Sequence, residues 1–86
     1  MTLSTDYVAG SAALLRGAWD EARASFEQAL AVHETPEALE GLGAAAWWLD
    51  LADIVFASRE RAYKLYLDRG DADGRAAAAR VAVWIA

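Results

Sequence analysis

Residues 17–30 read Gly17-Ala18-Trp19-Asp20-Glu21-Ala22-Arg23-Ala24-Ser25-Phe26-Glu27-Gln28-Ala29-Leu30. Trp19, Ala22, Phe26, Ala29 and Leu30 follow the i, i+3, i+7, i+10, i+11 series of a single helical face. Asp20 and Glu21 fall in the first turn, where carboxylates complement the helix dipole. The spacing therefore predicts a helix from about Trp19 to Val32. Gly17, just before it, is the kind of residue on which a preceding helix ends.

Downstream lies the sharpest boundary in the chain, Glu34-Thr35-Pro36-Glu37. Thr35 suits an N-cap, Pro36 the first helical position and Glu37 the first turn. A third helix then runs to about Leu49, with Leu39, Leu42, Gly43, Ala46 and Leu49 inward. Asp50 is read as the cap of a fourth helix, with Asp53 at its N3 position and an end near Arg69. The stripe of that helix is Ala52, Val55, Phe56, Arg59, Ala62, Tyr63 and Tyr66. Gly70 closes it. Asp71-Ala72-Asp73-Gly74 reads as a turn before a fifth helix from about Arg75 to Ile85. Upstream, a first helix runs from about Asp6 to Arg16, capped by Ser4 or Thr5, with Tyr7, Val8, Ser11, Leu14 and Leu15 as its stripe.

No stretch alternates like a strand, so the expected fold class is all-α in a single domain spanning 1–86. The connections are short, which forces consecutive helices to pack antiparallel. Ala22, Ala29, Gly43, Ala46 and Ala62 allow close approach, while Trp19, Phe26, Phe56 and Tyr63 fill the spaces between.

Composition narrows the function. At 57% hydrophobic and 24% charged, the chain is globular and not disordered. It has no cysteine, which removes disulfides and thiolate metal sites. Net charge is −5, and the arginines are scattered among carboxylates, so direct nucleic-acid binding and an anionic membrane surface are disfavoured. No apolar run approaches the ~20 residues of a spanning helix. The N-terminus shows no signal-peptide pattern, and a cytoplasmic protein is expected.

No reaction chemistry emerges. His33, the only histidine, falls at the end of the second helix without convergent ligands. Asp71-Ala72-Asp73-Gly74 opens like a calcium loop, but Ala82 stands where the distal Glu belongs. Arg69-Gly70-Asp71 is a helix stop and a turn. Ser4, Ser11, Ser25 and Ser58 have no base at a useful spacing. The expectation is a protein that is not an enzyme and holds no cofactor or metal.

The hairpins repeat with a period of about 34 residues. The segment from Gly17 to Leu30 resembles the second helix of a tetratricopeptide (TPR) repeat, where a Gly-x-aromatic turn precedes an Ala, aromatic, Ala series. Leu42-Gly43 resembles the Leu-Gly pair of a TPR first helix, and Ala62 falls where the last Ala of the next repeat belongs. Four features depart from the pattern: Tyr7 to Ala13 matches a first helix poorly beyond Gly10, Arg59 replaces an aromatic, Val55 replaces a small Ala, and Pro36 is displaced by about two positions. The resemblance implies about two repeats plus one extra helix, wound as a right-handed superhelix. The strings Glu34 to Gly43, Arg59 to Tyr66 and Arg69-Gly70-Asp71 also resemble TPR-like segments of bacterial LuxR-type regulators. In those proteins such a segment assembles or senses beside an effector domain.

The TPR pattern places Ser4, Tyr7, Ser11, Leu14, Glu37, Glu40, Ala44, Trp47 and Trp48 towards a concave groove that binds proteins or peptides. Glu37 and Glu40 would then favour an apolar ligand with a basic flank. Neighbouring residues on a helix diverge by about 100°, so one of Trp47 and Trp48 is expected to be exposed or at an interface. Trp47 either lines the groove or is covered by the fifth helix or by another subunit. The groove lacks the Lys and Asn of TPRs that clamp acidic tails. At the C-terminal edge, Ala77, Val81, Trp84 and Ile85 form an apolar stripe that is expected to self-associate or to continue into a longer chain. The runner-up to a protein-interaction module is a small-molecule sensor with a Trp-lined groove or dimer seam.

Overall fold

A computed structural model describes residues 4–85, leaving the side chains of Trp84 and Ile85 outside the described residues. It contains five helices: α1 (Thr5–Arg16), α2 (Trp19–Val32), α3 (Pro36–Trp48), α4 (Ala52–Arg69) and α5 (Ala72–Ile85). Each packs on the next, and α1 also touches α3.

The caps explain the boundaries. Ser4 Oγ accepts the Tyr7 N–H at 3.1 Å, and Thr35 Oγ1 accepts that of Ala38 at 3.2 Å ahead of Pro36. Gly17 and Gly70 take the left-handed conformation that ends α1 and α4. Two expectations are corrected. Asp71 is itself a cap, with its Oδ1 accepting the Gly74 N–H at 2.6 Å, so α5 begins at Ala72 and not at Arg75. Asp50 does not cap α4; it occupies the left-handed region at φ 61°, and Leu51 precedes the helix without a side-chain cap.

Phe26 organises the first three helices. It is 1% exposed, and its ring lies between two glycines. A Cβ on Gly10 of α1 would sit 2.9 Å from the ring, and one on Gly41 of α3 would overlap it. Around Phe26 cluster Ala13, Ala22, Ala29, Ala38, Leu42 and Ala45. A second cluster holds Leu39, Ala62, Tyr66, Ala78 and Val81, and Leu30 packs against both. Alanine dominates the first cluster, where small side chains let helix axes approach closely.

The inward face of α3 is as expected at Leu39, Leu42, Gly43 and Ala46. In α4 three of the expected inward residues, Val55, Ala62 and Tyr66, are buried, and the rest of the stripe differs. Val55, Ser58, Ala62 and Tyr66 are buried, whereas Phe56 is 50% exposed and Ala52 is exposed. Ser58 is small enough to occupy a core position, which shifts the stripe away from Phe56. Val8 and Leu15, expected inward on α1, are exposed, and Gly10 and Ala13 are buried in their place. Val81, expected on a free edge, is 1% exposed and belongs to the second cluster, with Ala77 packed against it. Val81 is thus a core residue of this chain, and Ala77 beside it is half-buried. Trp84 and Ile85, the other two edge residues, lie outside the described side chains. Among the described residues no helix is long and apolar enough to cross a membrane.

Candidate functional site

Glu40, Ala44, Trp47 and Trp48 recur on one face of α3, at i, i+4, i+7 and i+8. With Arg59 of α4 and Val81 of α5 they line an open groove of about 330 Å³. Trp47 is 58% and Trp48 61% exposed, so both adjacent indoles, and not one of them, face outward.

Both rings are held in place. Trp48 stacks on Trp19 of α2, with centroids 4.9 Å apart and planes 7° from parallel. The Arg59 guanidinium lies 5.8 Å from the Trp47 ring centroid, within cation–π range. Gly43 makes this approach feasible, since a Cβ there would already be 3.2 Å from Arg59 Cγ. Burial pulls the Arg59 pKa down and the charge of Glu40 pushes it back up, but a guanidinium stays charged throughout.

Below the groove, three carboxylates spaced one turn apart on the α3 side each take an arginine. Glu34 pairs with Arg61 at 2.8 Å, Glu37 with Arg69 at 2.6 Å and Glu40 with Arg80 at 2.5 Å. Glu40 Oε1 also accepts the Tyr66 hydroxyl at 2.5 Å. The Arg69 and Arg80 guanidinium groups lie 5.1 Å and 5.8 Å from the Tyr66 ring centroid. Burial, then the hydrogen bond to Glu40, pushes the Tyr66 hydroxyl well above the usual tyrosine range. Glu37 and Glu40 are therefore committed to arginines of this chain and do not form a spare acidic flank.

A smaller cleft of about 110 Å³ opens on the other side of Trp47, lined by Asp50, Leu51, Ala52, Val55 and Phe56. Trp47 is thus a wall shared by two depressions.

The structure gathers four of the expected groove residues, Glu40, Ala44, Trp47 and Trp48. It does not bring Tyr7, Ser11 or Leu14 to the groove lining. Tyr7 packs edge-on to Phe26 with centroids 5.8 Å apart, Leu14 packs on the first cluster, and Ser11 is half-buried on α1. Arg59 and Val81 were not expected in the groove. Among the described residues no group of His, Asp or Glu could hold a metal ion. Compared with known families, with curated proteins and with solved structures, the chain matches none.

Proposed function

We propose that the chain is a TPR-like protein-interaction module whose docking face is the Trp47–Trp48 groove. One observation carries the reading: two adjacent, outward-facing tryptophans are each immobilised from behind, Trp48 by Trp19 and Trp47 by Arg59. Exposed aromatics are strong interface anchors, and anchors already held in one rotamer lose little entropy on binding. The hairpin period and the Gly17–Leu30 pattern support the TPR-like part of the reading, and with it a role as the assembly segment of a bacterial regulator. A partner would insert an apolar side chain between Trp47, Trp48 and Ala44.

The test is to select peptides against the chain and map the best one by amide chemical shifts. Perturbation of Ala44, Trp47 and Arg59, with binding lost in Trp47→Ala, is the expected result. Ligands that perturb the α1 face and tolerate Trp47→Ala would overturn the reading. The second reading, a small apolar ligand in the same groove, is favoured by its volume of about 330 Å³. Thermal stabilisation by small hydrophobic compounds, reduced in Trp47→Ala, distinguishes it.

A further inference from the structure

Three left-handed residues occur among those described, and the chain uses glycine at two of them, Gly17 and Gly70. The third is Asp50, at φ 61°. Its amide donates to the Trp47 carbonyl at 3.2 Å and the next amide, of Leu51, donates to Ala46 at 2.9 Å, closing the end of α3. Glycine is the favoured residue in that conformation, and Asp tolerates it less well. Folding alone would favour glycine at this turn too.

Asp50 stands at the rim of the smaller cleft beside Trp47, Leu51, Val55 and Phe56. It is exposed, and no hydrogen bond or ion pair holds its carboxylate among the described residues. Asp53, in the first turn of α4, adds a second carboxylate at that end of the helix. The acidic side of the binding face is therefore here, across Trp47 from the groove, and the chain as a whole carries −5.

We infer that this cleft is a second subsite of the docking face, taking an apolar side chain of a partner protein that is flanked by Lys or Arg, with Asp50 holding the cation. The inference rests on the docking role proposed for the Trp47–Trp48 groove. The partner segment straddles Trp47, with one apolar side chain in each depression. Charge complementarity at Asp50 sets which end of the segment lies over the α3–α4 turn.

The test uses the full chain and three amidated peptides with one leucine pattern, carrying Arg, Gln or Glu beside the leucines. Titration calorimetry should show the Arg peptide binding about tenfold more tightly than the Gln peptide. Asp50→Gly should erase that preference while leaving the melting temperature unchanged or higher, which separates binding from folding. Asp73→Asn removes the same charge in the first turn of α5, beyond the far end of α4, whose 18 residues span about 27 Å; it should keep the preference. The inference is overturned if the Glu peptide binds as well as the Arg peptide, if the preference survives Asp50→Gly, or if Asp73→Asn erases it equally. If all three peptides bind alike and Trp47→Ala abolishes binding, the docking face stands and the charged subsite falls. If none binds, both fall.

Discussion

The indole of Trp48 lies flat on that of Trp19, the first residue of α2 meeting the last residue of α3 with planes 7° apart. The pair closes the open end of the α2–α3 hairpin and leaves Trp48 61% exposed. Trp19→Ala should therefore do two things. It should remove the coupled indole signal from the circular dichroism spectrum, and it should lower stability by about 2 kcal/mol in urea denaturation. Trp48→Ala should remove the same signal with a smaller loss of stability, because less of its surface is buried.

Gly41→Ala tests the seat of Phe26. Alanine is the better helix former by about 1 kcal/mol, so propensity alone predicts a gain. The Phe26 ring occupies the space that the new methyl group needs, and overpacking of this kind costs about 1–3 kcal/mol. A net loss is expected. In a Phe26→Leu background the penalty of Gly41→Ala should shrink, and a double-mutant cycle should show the coupling.

Asp71→Ala should destabilise the chain by about 1 kcal/mol, through loss of the cap on the Gly74 amide. Amide exchange should speed up first over residues 72–75. Were α5 to begin at Arg75, the substitution would be close to neutral.

Two groups set the pH response, with opposite signs. The hydrogen bond from Arg61 holds Glu34 below its ordinary value of 4.5, so its contribution is present above that value and lost as pH falls through the folded one. Tyr66 is raised above its ordinary 10.0, chiefly by burial, so its contribution is present below 10.0 and lost as pH climbs beyond it. Melting temperature plotted against pH should be level between these limits and fall at both ends. The acid arm is shallow because the Glu34–Arg61 pair is exposed. Tyr66→Phe should flatten the alkaline arm.

Much of the architecture is legible in the residues. The limits of α2 fall where its periodic face puts them, and Thr35-Pro36 starts α3 by cap chemistry alone. In α4 the buried Val55, Ala62 and Tyr66 are legible, but the exposure of Phe56 is not, because a large apolar residue beside Val55 reads as core and nothing in the sequence says that Ser58 takes a core position. Asp50 and Asp71 are both plausible caps by type. Only the backbone shows that one caps and the other takes a left-handed turn.

Four of the six groove residues follow from helix periodicity, since Glu40, Ala44 and the two tryptophans share one face. The role of the Glu37 and Glu40 carboxylates does not follow, because their arginines lie far away in sequence. The Trp19–Trp48 pair did leave a trace. Trp19 and Trp48 are equidistant from the His33–Glu34 peptide, and so are Phe26 and Gly41. In an antiparallel hairpin, equal distance from the turn means contact.

Among the described residues only Leu30 packs against both core clusters, and each helix leans chiefly on its sequence neighbours. Such a chain opens from its extremities inward, one helix peeling off at a time. The middle helix, α3, touches α1, α2 and α4 directly and reaches α5 through Leu39 and Glu40, so its amides are expected to exchange last. Trp47 and Trp48 ride on it. The two tryptophans of the proposed docking face therefore keep their helix when a terminal helix opens, whereas the groove itself, completed by Arg59 of α4 and Val81 of α5, exists only while all three helices stay together.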